Sequence, residues 1–429
     1  AGILDPGPQG LAVRFELDAG PRTTVGAIRT AGAGRTRDSV VEGAVTLEPG
    51  DLIRPEGLAL SRDHLSETRA FRSIDIRTET TDDPSVRDLV VDLAARPDLK
   101  VEYKVRYETG SSRETSEEPQ LEESRGFQFG AGLEAANPFG RAHRYSVYGL
   151  VGKRRQLFGA TFEAQTFFGR RWRTQVFVFD DSDRDYETTG ITKGVQGIAL
   201  QQTKRWRSGL TGRRWHDRLR MQWGYSYRYI EYLDPATARE FGGYRGGVSN
   251  SLIGDTRDSV TDPHRGLFWT VNVEPVLKAL GSDKDYVKLY GQVFAYIPLG
   301  SKIVWAQALR VGAAPGEDPL LLLDRRFKAG GATTVRGFSE NGLGPQDRGV
   351  GIGGQGLFVF NQEIRFPVWS RVWAGVFYDA GNVWPLASEV ALGDLRSNLG
   401  AGVRVMFPFG PVRLDRAWVL DPQEGEQRS

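Results

Sequence analysis

The stretch at residues 327–345, FKAGGATTVRGFSENGLGP, decides how this chain is read. It sets one arginine, Arg336, inside a glycine-rich loop, and the segments on both sides alternate apolar and polar residues with the two-residue period of strands. Gly330, Gly331 and Gly337 allow positive φ and close backbone approach. An arginine carried into a protein interior needs carboxylate partners, which its planar fork holds bidentately. Two acids are candidates. Glu363 lies on a predicted strand over 357–365, on the same face as Asn361 and Arg365, and Asp379 closes the next predicted strand, 372–379.

Outward from the loop, the same period recurs from residue 100 onward. Val101, Tyr103, Val105 and Tyr107 alternate with Glu102, Lys104 and Arg106, and Met221, Trp223, Tyr225, Tyr227 and Tyr229 alternate with Gln222, Gly224, Ser226 and Arg228. Residues 267–274 and 399–405 repeat the pattern. One face suits lipid and the other water, and arginines on the second face fit a wet lumen better than an oil-like core. A soluble β-sandwich would reverse that assignment, with the apolar face as core, and periodicity alone does not separate the two. Strand number, strand length and aromatic strand ends favour a membrane barrel. About fifteen alternating segments fall between residues 100 and 420, where a single-chain bacterial barrel is expected to have an even number. The segment at 410–419 alternates too, but its Arg416 falls on the face of Val412 and Leu414, where it must snorkel from a strand end.

Composition narrows the function. Across 429 residues there are 53 glycines and no cysteine, and the formal net charge is +2 with both signs interspersed, so no basic patch argues for nucleic acid. No apolar run reaches the length of a membrane helix, and no signal peptide is recognised, so insertion into a membrane would be as a barrel. Catalytic signals are absent. His64, His143, His216 and His264 are scattered without metal-ligand spacing, there is no Gly-x-Ser-x-Gly or P-loop, and the glycines of 349–356 lack a strand-to-helix context. The expectation is a non-enzyme without metal or cofactor.

Ahead of residue 99 the pattern changes. Residues 24–30 read as a strand, Thr36 as the cap of a short helix through Val45, Pro55 as the start of a longer helix to about Arg69, and 73–78 and 87–94 as two strands. This β-α-α-β-β order leaves an exposed sheet edge able to pair with an extended client segment, which is favoured over a role as a spacer only. Residues 11–17 (LAVRFEL) alternate as one more strand, which reads either as the closing strand of a preceding domain or as a terminal strand packed on the complete one.

Val335-Arg336-Gly337-Phe338 is similar to the VRGF/Y signature of the BamA/TamA superfamily of outer-membrane assembly and translocation barrels, and the β-α-α-β-β unit with its Gly50-Asp51 turn resembles a POTRA domain. The resemblance implies a mainly β fold: a membrane-spanning antiparallel β-barrel of about 16 strands over residues 99–429, its last strand absent from this chain, preceded by a small α+β POTRA domain at 21–98 and, at 1–20, the end of a truncated one. It implies that Gly330, Gly331, Val335, Arg336, Gly337 and Phe338 lie at the tip of an extracellular loop folded into the barrel, and it points to Glu363 and Asp379 as the arginine's contacts. Whether such a cluster only locks the loop or also gates the barrel stays open. It further implies a weakly paired seam at the first strand (Val101, Tyr103, Val105, Tyr107), a bacterial outer-membrane location with POTRA in the periplasm, and unfolded outer-membrane or secreted clients as partners. The bilayer and periplasmic or inner-membrane accessory proteins complete the expected partners. The alternative is a passive channel or porin, or a two-partner secretion transporter.

Overall fold

The computed structural model describes residues 2–7, 10–15, 22–108, 126–152, 155–166, 172–186, 191–206, 219–234, 239–300, 302–316, 326–347, 350–407 and 410–422. The chain forms two compact units, residues 1–98 with 136–143 and residues 99–135 with 144–429.

In the first unit, β1 (Gly2–Gly7) and β2 (Gly10–Phe15) form an antiparallel hairpin. Residues 11–15 are therefore the strand that alternation predicts, and among the described residues they pair with β1 alone. The complete domain runs β3 (Thr24–Ala31), α1 (Asp38–Ala44), α2 (Pro55–Glu67), β4 (Phe71–Thr80) and β5 (Val86–Ala95). Its sheet order is β3-β5-β4, with β5 parallel to β3 and antiparallel to β4. Central β5 buries Leu89, Val91 and Leu93 against Val41 and Ala44 of α1 and Leu65 of α2, which closes an apolar core. Pro55 starts α2 as expected, because its missing N–H costs nothing at the first helical position.

Thr36 does not cap α1. The cap position is Arg37, without a side-chain bond, while the buried Thr36 hydroxyl accepts a hydrogen bond from Asn137 Nδ2 at 2.8 Å. Asn137 belongs to the turn at residues 136–143, which groups with this unit. The Asn137 Oδ1 also receives the Ala142 N–H at 2.7 Å, and the Arg37 N–H reaches Gly140 O at 2.9 Å. The hydroxyl is thus used between two segments rather than on its own helix.

The second unit is one fifteen-stranded antiparallel meander. Its strands are β6 (Leu99–Glu108), β7 (Gly126–Ala136), β8 (Arg144–Gly152), β9 (Arg155–Ala164), β10 (Arg173–Tyr186), β11 (Ile191–Trp206), β12 (Leu219–Asp234), β13 (Arg239–Asp255), β14 (Gly266–Val276), β15 (Tyr286–Leu299) and β16 (Ile303–Ala313), followed by β19 (Gly356–Trp369), β20 (Val372–Trp384), β21 (Arg396–Phe407) and β22 (Gly410–Val419). A small hairpin, β17 (Gln346–Asp347) with β18 (Val350–Gly351), lies in the connection between β16 and β19. Every strand of the meander pairs with its chain neighbours, and β6 and β22 stand at the two ends of the order.

Alternation along each strand sorts the chemistry to two faces. Val101, Val147, Phe158, Val178, Ile198, Val271, Val293, Ile364 and Leu414 are exposed on one face. Arg155, Glu163, Arg245, Asp379 and Asn398 are buried on the other. A barrel wall in lipid shows this distribution, with apolar residues outward and a polar lumen. No helix among the described residues is long and apolar enough to cross a membrane. The end of the wall where β6 begins is called proximal below, and the opposite end distal.

Candidate functional site: the luminal arginine lock

The distal connection between β16 and β19 turns back against the polar face. Its apolar anchors are Phe327, Ala329, Val335 and Leu343, which pack with Leu357 and Val359 of β19 and Val383 of β20. Glycine backbone makes this possible. Gly330 and Gly331 take φ of 113° and 87°, and a Cβ on Gly337 (φ 89°) would come within 3.0 Å of the Ala417 Cβ. The Thr334 hydroxyl closes the turn locally by accepting the Gly330 N–H and donating to the Gly330 carbonyl, both at 2.8 Å.

This turn delivers Arg336 to a set of carboxylates. Its Nε and Nη2 donate to the two oxygens of Asp379 at 2.8 Å each, and its own backbone N–H donates to Asp379 at 3.1 Å. Its Nη1 reaches Glu363 at 2.8 Å and Asp415 at 3.4 Å. The guanidinium lies over the ring of Phe377, 3.4 Å from the centroid, so a π-face covers what hydrogen bonds leave open. Asp379 is fully buried, and Arg336 is 7% exposed.

A second ring of contacts holds the first. Glu363 also accepts from Arg365 at 2.8 Å and from Arg404 at 3.1 Å. Arg413 pairs with Asp415 at 2.8 Å and donates to the loop carbonyl of Ala332 at 2.7 Å. Asn361 donates both to Asp379 at 2.8 Å and to the Thr334 carbonyl at 2.6 Å, and Arg310 grips Asn361 and the Thr333 carbonyl. Strands β16, β19, β20, β21 and β22 therefore all contribute side chains to one network. Removing a member of such a buried pair costs about 3–5 kcal/mol, chiefly because the remaining charge loses its partner.

The structure brings together Arg336, Glu363 and Asp379, but Asp379 does not close its strand. β20 continues to Trp384, and Asp379 pairs in register with Asn361 and Asn398 in mid-strand. Gly381 lies within the strand, and a Cβ there would lie 2.9 Å from Val335 Cγ2. The glycine leaves room for the docked loop.

Asp415, Arg404, Arg413 and Phe377 were not singled out from the sequence. Asp415 and Arg413 share the polar parity of β22, which is the signal available for them. Asn398 is fully buried next to Gly337, and neither atom of its amide finds a partner among the described residues. Such a group costs about 1–3 kcal/mol.

The residues expected at the seam lie elsewhere. Val101, Tyr103 and Val105 sit on β6, with Tyr103 82% exposed, while the side chain of Tyr107 lies outside the described residues. Among the described residues β6 pairs with β7 and β22 with β21, so the two edges of the sheet stay unjoined. His264 meets Trp373 edge-on at 5.2 Å beside a small cavity lined by Asp262, Glu363, Arg365, Arg404 and Asp415. No group of three or more metal-type ligands converges among the described residues; His216 lies outside them.

Residues 137–429 match the Omp85 superfamily domain. The chain is 24% identical over 443 aligned positions to the outer membrane protein assembly factor BamA of Nitratidesulfovibrio vulgaris, covering 97% of this chain and 51% of that protein. It is 31% identical over 132 residues to a sorting and assembly machinery component 50 homolog of Mus musculus, covering 30% of this chain and 28% of that protein. Among solved structures, BamA from Haemophilus ducreyi lacking POTRA domains 1–3 superposes with a TM-score of 0.72 at 17% identity, covering 100% of this chain and 87% of that one. CdiB from Acinetobacter baumannii gives 0.51 at 12% identity, covering 100% and 75%. At those identities the likeness is one of fold. The chain spans about half the length of the curated BamA relative it matches.

Proposed function

The chain belongs to the Omp85 superfamily, and from that premise we propose that it works in the bacterial outer membrane as a factor that inserts and folds β-barrel clients. The observation that carries the reading is the asymmetry of the wall. The strands leading up to the β22 edge are clamped through Arg336 to the luminal loop, whereas the opposite edge, β6, shows Val101, Tyr103 and Val105 outward with its outer backbone groups unpaired among the described residues.

A strand edge is a template for another strand, and in lipid every backbone donor and acceptor must be satisfied. A client strand entering beside β6 gains backbone partners there, and the apolar alternation of Val101, Tyr103 and Val105 favours the register that keeps lipid-facing side chains outward. The clamped side stays rigid while the free side exchanges pairing. No cofactor or nucleotide enters the step. The α+β unit is read as a POTRA domain in the periplasm, where the free edge of β4 offers a first contact for extended clients and a surface for accessory proteins.

The test reconstitutes the protein in liposomes and follows folding of an unfolded outer-membrane barrel by heat-modifiable gel mobility, with empty liposomes as control. Faster folding supports the reading. Ion conductance without acceleration would replace it with a passive channel or a two-partner secretion transporter.

A further inference from the structure

On the outward face, at the proximal end, Lys204 of β11 lies between two indoles. Its ammonium is 5.4 Å from the ring centroid of Trp172 and 5.3 Å from that of Trp206. The parity of β11 puts Lys204 on the face of exposed Ile198, and in register it pairs with Met221 of β12. No carboxylate pairs with it among the described residues. Lys204 lies two residues from the proximal end of β11, and two π-faces compensate its charge only in part.

A further observation points to what completes the charge. Trp269, Trp305 and Trp369 lie at the proximal ends of β14, β16 and β19, and the last is 79% exposed. A tryptophan belt marks the headgroup level of a bilayer. The charge of Lys204, with no carboxylate beside it among the described residues, favours an anionic lipid over a zwitterionic one.

We infer that Lys204, held between Trp172 and Trp206, binds the phosphate of an anionic glycerophospholipid in the leaflet at the proximal end of the wall. The ammonium supplies the charge-assisted contact and the indoles fix its position at the interface. The inference rests on the membrane-spanning fold and does not depend on client assembly.

The experiment is native mass spectrometry of the full chain in detergent, titrated with phosphatidylglycerol, with phosphatidylcholine, and with inorganic phosphate as a separate arm. The wild type is expected to retain phosphatidylglycerol at lower concentration than phosphatidylcholine, and phosphate at equal concentration is expected not to displace it. Lys204→Gln is expected to weaken phosphatidylglycerol retention about fivefold, the worth of one basic contact at a lipid surface, and Lys204→Arg to keep it. Heat-modifiable mobility checks that each variant is folded. Equal retention of the two lipids by the wild type would overturn the inference whether or not the variants fold. So would unchanged retention in Lys204→Gln, or displacement by free phosphate.

Discussion

The two flanks of the barrel wall obey the same alternation and are held in different ways. From β16 to β22 the polar face is bound into one ionic network that takes in a loop, three carboxylates and five strands. From β6 to β10 the ion pairs between strands seen among the described residues, Arg144–Glu134, Arg155–Asp181 and Arg173–Glu163, each join neighbouring strands. Arg155 of β9 meets Asp181 of β10 bidentately at 2.9 and 2.7 Å, joining adjacent strands. A barrel can thus keep uniform hydrogen-bonded ladders while carrying a loop-borne ionic clamp on one flank.

Breaking the clamp should give the largest effect. Arg336→Ala leaves Asp379 and Glu363 buried without their shared cation and is expected to lower stability by about 3–5 kcal/mol. The readout is the urea midpoint of heat-modifiable mobility, and client folding should slow with it. Arg155→Ala sharpens the contrast: about 3 kcal/mol of stability is expected to go, with client folding per folded molecule unchanged. If both variants slowed client folding equally, the two flanks would not differ as described.

Gly381→Ala tests the loop seat without touching a charge. The added Cβ meets the Phe358 carbonyl and Val335 at 2.9 Å, and overpacking of this kind costs about 1–3 kcal/mol. Asn398→Ala should do the reverse. Removing an amide that has no partner is expected to leave stability unchanged or raise it by up to about 1 kcal/mol, read in the same urea titration. A loss of 2 kcal/mol or more, on the same scale, would show that the amide is bonded.

The smallest effect belongs to the proximal turn between β13 and β14. Burial pushes the Asp258 carboxyl up, but the N–H groups of His264, Arg265 and Ser259 outweigh it and hold it below the ordinary carboxylate range. A depressed folded value stabilises above the unfolded value of about 3.9 and loses that contribution as pH falls through the folded one. Stability should therefore drop on acidification below about pH 4, and Asp258→Ala should shallow that drop while leaving the flanks' difference at neutral pH intact.

Most of the fold was legible in the sequence because lipid and water make opposite demands on successive residues. Strands such as 101–107, 219–229 and 410–419 announce themselves by alternation wherever one face is wet. The core of the clamp was legible too, since an arginine among loop glycines calls for acids on facing strands. What escaped detection depends on distance in sequence. Asp415 lies 79 residues from Arg336, and nothing local marks it. The end of β20 was misplaced: the strand continues past Gly381, which is a socket for the loop. Thr36 looked like a helix cap because its partner, Asn137, is 101 residues away.

The meander order also bears on how the wall forms. With every strand paired to its chain neighbours, nearly all closures are local, and local closures are the fast ones. The sheet can grow hairpin by hairpin as the chain arrives. The contacts of Arg336 are among the exceptions, spanning 27, 43 and 79 residues. They can form only after β19, β20 and β22 are in register, so the clamp works as a proofreading step: a wall with a slipped register presents the wrong parity to the loop and leaves the arginine without its acids.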